Sequence, residues 1–211
     1  MESHTELNDS VIYFSSRSSL DWDERLAHWI SDLFSPPLLA VIGILLVLQT
    51  TNTAISRWWI IYYLTLTVIV PVMYLIWKLH RKEINDFHMY VREQRIRPML
   101  FTLACAITAL LSIWIGGAPK TLLVFGAMGV IQVGFLLLVT LRWKISGHGA
   151  AIGSLAVFLW SLYGAAAAPA LLAIPLVAWA RVRIQRHTIA QTVAGSLAGM
   201  CITLAFVLLI L

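Results

Sequence analysis

An all-helical bundle that crosses a lipid bilayer several times is the fold class this sequence predicts, and three observations carry it. Of its 211 residues 60% are hydrophobic and only 12% charged. Mean hydropathy is +0.83, far more apolar than a water-soluble domain requires. The apolar residues run in long stretches, seven of which reach or approach the roughly 20 residues needed to cross a hydrocarbon core. Trp58, Trp59, Trp77, Trp114, Trp143 and Trp179 fall near the ends of those stretches, where an amphipathic indole favours the headgroup zone.

Taken in order, residues 1–33 form a polar, Ser/Asp-rich arm that lacks the apolar core of a signal peptide. Its last part, Leu26 to Leu33, is expected to be a short interfacial helix. Residues 34–211 are expected to form one transmembrane bundle, since no repeat, Pro-rich linker or low-complexity block divides them. Spans are predicted over 34–51, 58–79, 98–116, 119–142, 149–166, 167–181 and 188–211. Only Gly164 and the run Ala165 to Ala168 separate the fifth from the sixth, so that pair also fits a re-entrant element. Cys105 and Cys201 lie inside spans and read as small packing residues rather than a disulfide. Gly195 and Gly199 make a small-xxx-small step that favours close helix packing and would turn Gln191 inward.

With seven spans, one face carries Arg17, Arg25, Lys78, Arg81, Lys82, Arg92, Arg95, Arg97, Arg142, Lys144, Arg181, Arg183 and Arg186, and the other only Arg57 and Lys120. Leaving out the cations that an anion site would need in either orientation still leaves six against two. The positive-inside rule then places the crowded face in the cytoplasm.

Two segments on that face carry the chemistry. Lys144-Ile145-Ser146-Gly147-His148 opens one apolar helix; Ala180-Arg181, five residues, His187 and then Gln191 open another. A helix start with a Ser-Gly turn presents unpaired backbone N–H groups to an anion, and arginine offers a planar fork matched to phosphate oxygens. A histidine in such a cradle can attack phosphorus or protonate a leaving oxygen. The topology makes this testable: two crossings separate Arg92–Pro98 from His148 and two more separate His148 from His187, so all three segments return to one surface.

These residues resemble the type 2 phosphatidic acid phosphatase family. Its motifs are Lys, six residues, Arg-Pro; then Pro-Ser-Gly-His; then Ser-Arg, five residues, His, three residues, Asp. Ile145-Ser146-Gly147-His148 is similar to the second, with isoleucine for proline. Ala180-Arg181, His187 and Gln191 keep the spacing of the third, with alanine for serine and glutamine for aspartate. Arg97-Pro98 ends the first, but Tyr90 stands where its lysine belongs, which leaves Arg92 or Arg95 as the basic residue. Asp86-Phe87-His88 followed by Arg92-Glu93-Gln94-Arg95 is similar to a divergent bacterial and archaeal branch. The resemblance implies a six-helix core with an added helix, and hydrolysis without metal or cofactor. It implies His187 as the nucleophile that forms a phosphohistidine, and His148 as the acid that protonates the departing alkoxide and then activates water. Arg181 and one of Arg92, Arg95 or Arg97 would hold the phosphoryl oxygens, with Lys144, Ser146 and the Gly147 N–H completing the cradle. The carboxylate that supports the nucleophile in the family would have to come from the first-motif loop or the arm, with Asp86 the choice, because no Asp or Glu follows Glu93.

The expected partners are membrane lipids and a phosphorylated lipid, a phosphatidate, phosphatidylglycerophosphate or polyprenyl (di)phosphate, and not nucleic acid. A non-catalytic lipid- or partner-binding protein that keeps the fold is the alternative, and a vanadate-dependent peroxidase a distant third. His80, Glu83, Asp86 and His88 match no metal-ligand spacing and read as a solvated juxtamembrane segment. Arg183 and Arg186 read as topology or anionic-lipid contacts.

Overall fold

Long apolar segments leave the backbone no partner in lipid except itself, and the chain resolves them as helices. The computed structural model describes residues 21–50, 54–84, 89 and 91–210, which form nine α-helices and no strand. They are α1 (Trp22–Leu33), α2 (Pro36–Thr50), α3 (Ala54–Leu64), α4 (Val70–His80), α5 (Arg92–Ile115), α6 (Lys120–Thr140), α7 (Gly147–Tyr163), α8 (Ala168–Arg183) and α9 (Ile189–Ile210). The outer surface is itself apolar, with Leu138, Leu172, Leu197 and Leu204 all exposed, as a lipid-facing exterior requires.

Among the described residues five helical runs are long and apolar enough to cross a membrane, or six if α1 and α2, bent by 44° at their junction, count as one broken span. The expectation of seven exceeds this in two places. Helix α2 has 15 residues and falls short alone. Residues 147–183 form one unbroken helical run, yet its halves fold back on each other. Ile152 and Leu155 of α7 share a buried cluster with Val177 and Ala180 of α8, and His148 and Arg181 border one cavity. The reversal occurs at Gly164, whose φ of +56° with ψ of −135° is open only to glycine.

Helix α1 extends the expected interfacial helix to Trp22. Trp22, Leu26, Trp29 and Leu33 form an exposed apolar stripe, while Ala27, Ile30 and Ser31 are buried against the bundle. Helices α3 and α4 are joined by a π-helical turn over Thr65–Ile69. Pro71 lacks an N–H and its ring would crowd the preceding turn, and a widened turn relieves both conflicts. The Thr65 and Thr67 hydroxyls donate to the Ile61 and Tyr63 carbonyls at 2.8 Å, restoring bonds that a wider turn gives up.

Helices α7 and α9 pack with their backbones in contact. A Cβ on Gly195 would lie 2.3 Å from the Ser146 carbonyl oxygen, and one on Gly199 would lie 2.0 Å from that of Ala150. From the other side, a Cβ on Gly149 would meet the Thr192 oxygen at 2.7 Å and one on Gly153 the Ser196 oxygen at 2.4 Å. The expected small-residue step on α9 therefore meets a matching Gly-xxx-Gly step on α7, which the sequence reading did not single out.

Candidate functional site

The α7–α9 contact sets two helix starts side by side. Ser146 is the N-cap of α7: its Oγ accepts from the Gly149 N–H at 3.2 Å, and its own N–H donates to the Gln191 carbonyl at 3.2 Å. Gly147 and His148 follow in the first turn and border the cavity.

At the start of α9, Thr188 and Gln191 form a reciprocal capping box. The Gln191 N–H donates to Thr188 Oγ1 at 3.3 Å, and the Thr188 N–H donates to Gln191 Oε1 at 3.2 Å. The same Oε1 lies 3.0 Å from His187 Nδ1. A backbone N–H can only donate, so the amide atom facing it is the oxygen, and the His187 Nδ1 sharing that oxygen must carry the proton. Nε2 is then the ring nitrogen with a lone pair.

His187 is tied as closely to α8. Gln185 adopts a φ of +54°, and the chain turns so that the Arg186 and His187 N–H groups both donate to the Arg181 carbonyl, at 3.0 and 3.2 Å. The five-residue spacing between Arg181 and His187 is thus the length of a helix-terminating turn. The Arg181 side chain is 1% exposed, and its Nη1 donates to Ser31 Oγ of α1 at 2.6 Å. Arg95 enters from α5, 8% exposed, with Nε donating to the Met89 carbonyl at 2.8 Å and Nη1 to the Ile145 carbonyl at 3.4 Å.

Arg95, Gly147, His148, Arg181 and His187 border one cavity of about 370 Å³ that continues into the apolar interior of the bundle. Burial holds the His187 imidazole far below the usual histidine range, and the charges of Arg95, Arg181 and Lys144 add to it, down to about 2; the Gln191 bond pulls the other way. His187 is therefore a neutral base beside fixed cations, an electrostatic setting suited to an anion.

The other expected residues lie around this centre. Arg97 is exposed and acts electrostatically on Glu83. Arg92 bonds the Leu141 carbonyl and pairs with Glu93, bracing the α6–α7 loop. The phase of α5 therefore selects Arg95 among the three arginines for the cavity. Lys144 is half-buried, and its charge reaches His187. Asp86, the expected carboxylate, lies outside the described residues, as do Tyr90, Phe87 and His88. Glu83 pairs with Lys78, and Glu93 with Arg92, so among the described residues the partner of His187 Nδ1 is the Gln191 amide. Arg183 departs from the lipid-contact expectation: it forks onto Asp23 at 2.8 Å and Glu24 at 2.7 Å of α1. Ser31, buried beneath Arg181, was not anticipated. Its one sequence signal is a place four residues after Ala27 on the polar-flanked face of an amphipathic helix.

No protein-family model, no curated protein and no solved structure matches this chain.

Proposed function

We propose that this is an integral membrane phosphatase that hydrolyses a lipid phosphate or diphosphate through a phosphohistidine, with the divergent type 2 phosphatidic acid phosphatase arrangement in its six-helix core and its site on the cytoplasmic side. The observation that carries the reading is a single cavity bordered by two imidazoles and two buried arginines that opens into apolar protein. His187 is neutral, with Nε2 left to attack, while the amide of Gln191 fixes the opposite nitrogen.

In the first step the Nε2 lone pair of His187 forms a bond to phosphorus as the P–O bond to the lipid breaks, and His148 gives its proton to the departing oxygen. In the second, His148 takes a proton from water, whose oxygen attacks phosphorus. The P–N bond breaks and inorganic phosphate leaves. Arg95 and Arg181 hold the non-bridging oxygens, with the N–H groups at the start of α7 beside them. Such fixed donors supply most of what phosphoryl transfer needs. Burial is the main cause of the low proton affinity of His187, but a bound phosphate balances the cations that add to it, and its own charge stabilises the positive imidazole that P–N bond formation creates.

The test is phosphate release from lipid phosphates in detergent with EDTA present. Turnover is expected in the parent protein and should fall by about 10³-fold or more in His187→Ala. Loss of His148 should slow alkyl leaving groups far more than p-nitrophenol. Full activity in both variants would overturn these roles. The replacement of a carboxylate by Gln191 favours the second reading, a lipid-binding protein without turnover, and binding with no phosphate release would select it.

A further inference from the structure

We propose that the cavity is a closed-bottomed well for one hydrocarbon chain, so that the substrate is a single-chain lipid phosphate, an alkyl or polyprenyl mono- or diphosphate, whose chain length is set by Gly129 and Phe125. This rests on the reading above for where the phosphate sits, and adds what lies beneath it.

The lining runs from His148 down α7 to Phe158, ten residues, or about 15 Å at 1.5 Å per residue. A zigzag of 1.52 Å carbon–carbon bonds advances roughly 1.3 Å per atom, so this depth takes about twelve carbons. Helices α2, α3–α4, α5, α6 and α7 all contribute wall residues. Several of its polar wall groups are occupied. Ser154 Oγ lies 2.6 Å from Gln132 Oε1 and 3.1 Å from the Gly199 carbonyl, and Thr67 and Thr102 bond the carbonyls of Tyr63 and Pro98. What they leave facing inward suits methylenes.

Three rings gather at the far end. Tyr63 and Phe125 meet edge to face with centroids 6.4 Å apart, and Phe125 and Phe158 follow at 5.8 Å. Gly43 makes room for this floor, since a Cβ there would lie 2.9 Å from Phe125 Cζ. Gly129 borders the well just above it, and a Cβ there would lie an ordinary 3.4 Å from Tyr63 Oη. A larger residue at 129 therefore fits the backbone and projects into the space a chain end would fill. A glycerolipid joins two tails at one headgroup, so one of them would be left outside a well of this kind.

The test uses the full chain in detergent with monoalkyl phosphates of 8 to 18 carbons, a prenyl phosphate and a dialkyl phosphatidate, each scored by displacement of a fluorescent alkyl phosphate and by phosphate release. Single-chain ligands should bind at least about tenfold more tightly than the phosphatidate, with affinity rising to a length limit. Gly129→Leu should move that limit to shorter chains, and Phe125→Ala to longer ones. Equal binding of one- and two-chain phosphates, or a length limit unmoved in both folded variants, overturns the proposal. Length-dependent binding that shifts with these variants, but with no phosphate released, supports the well while defeating the phosphatase reading.

Discussion

One amide sets the proton inventory of the site. Gln191 accepts from Thr188 and from His187 through the same oxygen, so it orients the ring without adding charge. Gln191→Asp supplies, on a side chain one methylene shorter, the anion that stabilises imidazolium. Phosphate release should rise by about tenfold or more, read as kcat on a lipid phosphate. No change would place the supporting carboxylate elsewhere. His187 also gives a sign for acid sensitivity. Its proton affinity is lowered in the folded protein, to about 2, so between the unfolded value near 6.5 and that point the unfolded chain binds the extra proton. Stability should therefore fall as pH drops below about 6.5, by on the order of 2 kcal/mol at pH 5. Thermal unfolding in detergent at pH 7 and pH 5 measures it, and His187→Gln should flatten the difference. At this scale the sequence was half legible. The motif spacing pointed to His148, Arg181 and His187, but three arginines within six positions of α5 could not be ranked. Only packing against the neighbouring helices decides that Arg95 turns inward and Arg97 outward.

At the level of helices, the site depends on how closely α7 approaches α9. Both partners present glycine where the other's carbonyls lie, so no side chain at these points can be accommodated by a rotamer change. Gly199→Val would drive a branched side chain into the Ala150 carbonyl and push the two helix starts apart. Stability should drop by about 3 kcal/mol or more, with phosphate release lost in parallel; a melting temperature within a degree of the parent would refute it. Helix α1 works differently, through ion pairs from Arg183 and the hydroxyl of Ser31 under Arg181. The Gly195 and Gly199 step was readable because small residues four apart leave a stripe. The attachment of α1 was not, since a polar face on an amphipathic helix does not reveal which buried cation it meets.

Across the whole molecule, cavity residues from α5, α7, α8 and the start of α9 gather at one end, as an even number of crossings between the motifs requires. The spans were visible as apolar runs, and so was the break at Gly164; the number that cross was not, because α2 is too short for a rule based on length. The excess of cations at the site end leads to an orientation test. In intact cells, a membrane-impermeant thiol reagent should fail to label Lys82→Cys and should label Lys120→Cys. The opposite pattern would place the site outside the cell.

The π-helical turn at Thr65–Ile69 also fixes the angular phase of everything before it. Rewinding these five residues into an α-helix with none removed would rotate α3 by about 100° relative to α4. Tyr63 and Ile60 would swing off the bundle axis while Pro71 kept its place. One irregular turn thus keeps the two halves of a long rod in step, and regularising it would be felt at the floor of the well rather than at the turn itself.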